Sequence, residues 1–163
     1  MQKNSVASWP CFSVEEQEAV ARVLASNRVN YWTGDEARQF EDEFARWSGT
    51  NHAVALTNGT VALDLALKAA GIGPGDEVVA TPRTFIASVS SVVNAGATPV
   101  FADVDRDSGN ISARTIANVL SGKTRAIIPV HLGGWPCDMD EIMALANAHK
   151  IFVIEDCAQA HGA

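Results

Sequence analysis

Two short segments carry residue types able to hold a charged, flat ligand: Asn58-Gly59-Thr60-Val61 and Asp156-Cys157-Ala158-Gln159. The first follows an apolar run at 53–57 and opens a helical pattern. A helix start offers unpaired N–H groups and the positive end of a dipole, so an anion is well held there. Gly59 would admit the anion close to the backbone, and the Thr60 hydroxyl adds a donor. Equally, Asn58 or Thr60 would serve as an ordinary helix cap, and the turn alone leaves both readings open.

Asp156 ends the run Phe152-Val153-Ile154-Glu155-Asp156. A carboxylate closing a buried strand is desolvated unless a cation pairs with it. A protonated pyridine nitrogen is such a cation, and an acid on it keeps the ring able to accept electrons. The plainer alternative is a capping Asp at a strand-to-helix turn. Phe85 could stack on a flat ring, although an isolated phenylalanine is more often core. Cys157 is a candidate thiol, but small buried cysteines are commoner. His131, Cys137, Cys157 and His161 have no zinc-like spacing. No Gly-x-Ser-x-Gly elbow occurs.

The elements that position these residues follow from periodicity. Ser13-Val14-Glu15-Glu16 and Thr33-Gly34-Asp35-Glu36 have capping-box spacing, and Asp138-Met139-Asp140-Glu141 is a third start of this type. Behind the second box, Ala37, Phe40, Phe44 and Trp47 form one stripe ending at Gly49, and Arg28 to Gly34 reads as a loop. After residue 50, apolar runs at 53–57, 77–81, 98–104, 126–131 and 151–156 predict strands. Helices are predicted at 60–70, 86–95, 113–121 and 139–149. Gly71, Gly96 and Gly122 suit left-handed C′ positions.

Strict β-α alternation implies a doubly wound, mostly parallel sheet. Ligands then bind outside the carboxyl ends of the strands. The turns after 57, 81, 131 and 155 share that edge. Gly71-x-Gly73-x-Gly75 precedes a strand and so lies on the opposite edge, which makes it a turn rather than a dinucleotide loop.

Composition is that of a soluble globular chain: 163 residues, 47% hydrophobic, 19% charged. A net charge of -7 argues against nucleic-acid or anionic-membrane partners. The polar start shows no signal peptide, no apolar run approaches ~18 residues, and three scattered cysteines suit a reducing compartment. A cytoplasmic protein is expected.

Taken in order, these segments resemble the DegT/DnrJ/EryC1/StrS family of pyridoxal-phosphate (PLP) enzymes. The matching text is Thr57-Asn58-Gly59-Thr60-Val61-Ala62-Leu63, Gly73-Pro74-Gly75-Asp76-Glu77-Val78 and Thr84-Phe85-Ile86-Ala87. It continues with Gly96-Ala97-Thr98-Pro99-Val100-Phe101-Ala102-Asp103-Val104-Asp105, Pro129-Val130-His131-Leu132-Gly133-Gly134 and Ile154-Glu155-Asp156-Cys157-Ala158-Gln159-Ala160-His161-Gly162. Trp32-x-Gly34 and Phe40-Glu41-x-x-Phe44 also fit.

The resemblance implies an α/β fold like the large domain of aspartate-aminotransferase-type (fold type I) enzymes. It implies a helical segment over 1–50 and part of the cofactor-binding domain over 51–163. Gly59, Thr60 and Val61 would hold the PLP phosphate, Phe85 would lie against the ring, Asp156 would pair with its nitrogen and Gln159 would reach its 3-hydroxyl region. The implied activity moves an amino group, typically from glutamate, to a keto-sugar nucleotide in amino-sugar and cell-surface polysaccharide biosynthesis, and the intact enzyme is expected to be a homodimer. The Arg28–Gly34 loop resembles one lining the sugar-nucleotide cleft.

The family's Schiff-base lysine lies after a further strand, and Lys3, Lys68, Lys123 and Lys150 do not match it. The chain is therefore expected to be a truncated, inactive part of a sheet of about seven strands, marginal or aggregation-prone alone. Relatives that lack the lysine and dehydrate sugars, and a non-catalytic α/β ligand-binding module, stand as alternatives.

Overall fold

The computed structural model describes residues 10–163, within two compact units, Met1–Ala55 and Leu56–Ala163. In the first unit, α1 (Val14–Ser26) starts on the expected box. Glu16 N donates to Ser13 Oγ at 3.2 Å while Ser13 N donates to Glu16 Oε2 at 2.6 Å.

The second box does not form. The Thr33 hydroxyl is engaged instead by Asn30 Oδ1 at 3.2 Å, and α2 (Glu36–Ser48) begins at Asp35 with no side-chain cap bond. Asn30 Oδ1 also accepts from the amides of Trp32 and Thr33, so the 28–34 segment is a loop wound on one asparagine. Phe40, Phe44 and Trp47 make a continuous aromatic row, with centroids 5.6 and 5.2 Å apart, and Gly49 closes the helix with φ 70°.

Residues 53–57, expected as a strand, pair with no strand among the described residues. A strand exists only through its ladder, and no described strand supplies one for this segment.

The second unit runs α3 (Gly59–Ala69), β1 (Glu77–Ala80), α4 (Ala87–Asn94), β2 (Thr98–Phe101), α5 (Ala113–Ala117), β3 (Thr124–Ile128), a 3-10 turn (Leu132–Gly134), α6 (Met139–His149) and β4 (Phe152–Val153). The sheet is parallel throughout, in the order β2-β1-β3-β4. The expected strands are thus present after residue 70 but shorter at their ends.

Period-2 alternation sends neighbouring residues to opposite faces. Val78, Ala126 and Ile128 join Leu63, Leu67, Ala87 and Val92 in one cluster under α3 and α4. Val79 and Ile127 join Ile116, Ile142 and Ala146 in a second cluster under α5 and α6. A sheet covered on both faces needs continuous apolar strands, which is the pattern read from the sequence.

Gly71 and Gly96 take left-handed conformations (φ 72° and 79°), as expected. Gly122 does not, because α5 stops at Ala117 with Asn118 as its cap in right-handed geometry, well short of the predicted end. Asp138 Oδ1 accepts from Glu141 N and starts α6 as read. Among the described residues no helix is long and apolar enough to cross a membrane.

The connection after β1 passes under the first face and those after β2 and β3 under the second. The crevice between the β1 and β3 exits is therefore the switch point of the sheet.

Ile128 is fully buried on the first face. Ile128→Ala is expected to lower stability by about 3 kcal/mol in urea unfolding. Val20→Ala, on the exposed side of α1, should stay within about 0.5 kcal/mol.

Candidate functional site

At the switch point lies an open cavity of about 220 Å³, lined by Gly59, Thr60, Leu63, Thr84, Phe85, Ala87, Val130, Asp156, Ala158 and Gln159. Complete small-molecule pockets hold about 300–1,000 Å³, so these residues form one wall of a site. Five of the six residues singled out from the sequence meet here: Gly59, Thr60, Phe85, Asp156 and Gln159. Val61 does not line the cavity. Its N–H donates to Asn58 Oδ1 at 3.0 Å, which makes Asn58 the cap of α3.

The cap leaves the anion reading intact for the two preceding amides. Neither the Gly59 nor the Thr60 N–H donates to another described residue, and a Cβ built on Gly59 would meet nothing within 4 Å. Space over a helix start, with free amides beneath it, is what an anion requires. Phe85 stands 68% exposed at the cavity edge, so its ring face is available for stacking.

Asp156 departs from the expected environment. β4 covers only Phe152–Val153, and the ladder continues past it as single bonds, from Asp156 N to Pro129 O at 2.9 Å and from His131 N to Asp156 O at 3.3 Å. The carboxylate is half-buried in this structure. Its Oδ2 accepts from Ser88 Oγ at 2.8 Å and its Oδ1 from Ala158 N at 3.2 Å. Each oxygen keeps a lone pair for a third partner in the cavity.

Gln159 is oriented by backbone. Gly133 N donates to Gln159 Oε1 at 2.6 Å, which turns the amide NH2 away as a donor. That contact needs the tight turn around Gly133 (φ 64°) and Gly134 (φ 82°). A Cβ on Gly134 would sit 3.2 Å from the Gln159 carbonyl oxygen.

Beneath this turn, Cys137 N donates to His131 Nδ1 at 3.0 Å, so the buried imidazole carries its proton on Nε2 and donates it to Glu155 Oε2 at 3.0 Å. Cys157 Sγ completes a close trio with these two groups. A metal would need the Nε2 lone pair that this tautomer lacks; the trio is a clamp between the β3 and β4 exits.

Burial, reinforced by the Glu155 charge, pushes the Cys137 thiol up to about 11. The Cys157 thiol is raised too, by burial first and then by Glu155 and Asp156. Both groups stay protonated at neutral pH, which makes them poor nucleophiles.

Sequence reading placed Thr84 and Gly133 in turns on the site edge without giving either a role, and it passed over Ser88. The available signal for Ser88 was a serine inside the buried stripe of α4, between Ala87 and Val92.

Thiol chemistry checks this arrangement. At pH 7, iodoacetamide is expected to modify exposed Cys11 well before Cys157 and to leave Cys137 unmodified. Raised thiol values mean less thiolate at any given pH, so modification of Cys137 should climb only as pH approaches about 11. Mass mapping of the labelled peptides reads the order.

The chain shows clear likeness to known proteins over nearly all of its length. It is 44% identical over 157 residues to dTDP-3-amino-3,4,6-trideoxy-alpha-D-glucose transaminase of Streptomyces venezuelae, covering 96% of this chain and 41% of that protein. It superposes on an aminotransferase from Psychrobacter cryohalolentis with TM-score 0.94 and 65% identity, covering 96% of this chain and 40% of the other. NtdA of Bacillus subtilis, solved with its bound cofactor PMP, matches with TM-score 0.87 and 30% identity, covering 99% and 39%. The chain thus spans about two fifths of the length of these relatives. The sequence pattern of one family matches residues 10–163. By that match, the chain belongs to the DegT/DnrJ/EryC1/StrS aminotransferase family.

Proposed function

We propose that the protein is a PLP-dependent aminotransferase that transfers an amino group to a keto-sugar nucleotide, and that this chain supplies one wall of the cofactor site. The observation that carries the reading is a single cavity holding free helix-start amides, an exposed aromatic face and a carboxylate with spare lone pairs. These are the three fittings that a phosphorylated, cationic heteroaromatic ring calls for. The sugar-nucleotide class comes from the named activity of the Streptomyces relative. Glutamate as amino donor and a homodimeric assembly belong to the same proposal.

Each residue then has a defined task. Gly59 and Thr60 would bind the phosphate through N–H groups and the Thr60 hydroxyl, at the positive end of α3. Phe85 would exclude water from one ring face. Asp156, held by Ser88 and Ala158, would accept the proton-bearing ring nitrogen and keep its charge in place. Gln159, with its oxygen committed to Gly133, would donate to the ring's oxygen substituent. When bound, PLP supplies the electron sink for proton movements at the amine-bearing carbon. Among the described residues, none of Lys68, Lys123 and Lys150 lines the cavity, so this wall would orient the cofactor without supplying a covalent amine.

The whole protein, incubated with PLP and dialysed, is expected to retain the cofactor with a band near ~420 nm that borohydride bleaches. Asp156→Ala should lose most of that retention, with unchanged circular dichroism. A wild-type protein that retains no PLP would sink the reading.

A further inference from the structure

Ser88 is a hydroxyl without solvent access, on the buried side of α4. Its neighbours on that stripe, Ala87 and Val92, belong to the apolar core. A hydroxyl placed among them costs free energy unless its proton finds an acceptor. Ser88 Oγ lies 2.8 Å from Asp156 Oδ2, a contact across 68 residues of chain. An ionised carboxylate only accepts, so the single Ser88 proton is committed there. Thr84 Oγ1, 2.8 Å from Ser88 Oγ, must then be the donor of that pair. The hydroxyls run one way, from Thr84 through Ser88 to Asp156, and each bond polarises the next.

The same relay grips the aromatic. Thr84 and Ser88 bracket Phe85, and Ser88 N donates to the Phe85 carbonyl at 3.2 Å. One buried contact therefore ties the segment bearing the exposed ring to the acid. Carboxylate rotation about χ2 is ordinarily loose. Here one oxygen is held by Ser88 and the other by the Ala158 amide, so the plane of the group is fixed.

We propose that Ser88 is a positioning residue: it sets the Asp156 carboxylate at the angle needed to meet the nitrogen of a ring lying against Phe85, and Thr84 fixes the Ser88 rotamer. This rests on the cofactor reading above. Ser88 touches no ligand atom in this scheme and acts only through Asp156.

The test compares wild type, Ser88→Ala, Ser88→Thr and Thr84→Val in the whole protein. PLP affinity is measured by fluorescence titration, and melting of the cofactor-free forms is followed in parallel. Ser88→Ala is expected to bind PLP about tenfold more weakly, the scale of one hydrogen bond to a charged group. Ser88→Thr, which keeps the hydroxyl, should recover to within about threefold of wild type. Thr84→Val should fall between. Wild-type affinity in Ser88→Ala, or a Ser88→Thr protein as weak as Ser88→Ala, overturns the proposal, as does lowered melting with unchanged affinity. If Ser88→Ala does not fold, Thr84→Val decides, since it leaves Ser88 in place; unchanged affinity there overturns the proposal.

Should wild type bind no PLP, the cofactor reading fails separately, and the Ala158 amide resonance of the cofactor-free protein decides the positioning claim. A displaced resonance in Ser88→Ala that returns in Ser88→Thr supports it, and an unmoved one overturns it.

Discussion

An ionised carboxylate at the mouth of a parallel sheet must be satisfied from outside the ladder, and the way Asp156 meets that demand organises the rest of this unit. Its backbone completes the pairing between the β3 and β4 exits through Pro129 and His131. Its side chain is then free to be held by a helix from the first face, through Ser88, and by its own turn, through Ala158. The acid thus joins α4, β3 and β4 at one point. A buried polar network of this kind is stable only when every member is satisfied, and each hydroxyl here has a partner.

The doubly wound topology makes that junction possible. Because β1 and β3 send their helices to opposite faces, their exits separate and leave a crevice that no helix fills. The two clusters, Val78 and Ile128 on one face and Val79 and Ile127 on the other, hold the strands without using any residue that lines the crevice through its polar atoms. Stability and site chemistry therefore fall on different residues, with α4 the exception: Ala87 and Val92 pack the core while Ser88, between them, reaches the acid.

Much of this was legible in the sequence because the signals were periodic. Alternation of apolar strands with helices gave the parallel sheet, and the order of segments gave which turns share an edge. Asn58, Gly59, Phe85, Asp156 and Gln159 were visible because each sits at an element boundary, where residue type is dictated by local geometry. Four features were not legible, each for a tertiary reason. Thr33 had box spacing, but Asn30 competed for its hydroxyl. Residues 53–57 had strand composition, but a strand is defined by a partner that composition does not name. Asp156 followed an apolar run, yet the groups that hold its carboxylate, the Ser88 hydroxyl and the Ala158 amide, lie outside that run. Ser88 escaped notice because its partner is 68 residues away.

The cysteine beside the acid shows how the pieces constrain one another. Under the cofactor reading, Cys157 stands next to a site for an aldehyde-bearing ring, and thiolates attack aldehydes readily. Burial and the charges of Glu155 and Asp156 raise its thiol, so the reactive form is scarce. Glu155 is in turn engaged by the His131 proton, a tautomer fixed by the Cys137 amide. The negative charge that would hold a cationic ring nitrogen therefore also quiets the nearest competing nucleophile. Under the same reading, a lysine brought to this cavity would meet no thiolate rival among the described residues, and these side chains would serve to orient the ring and hold its charge.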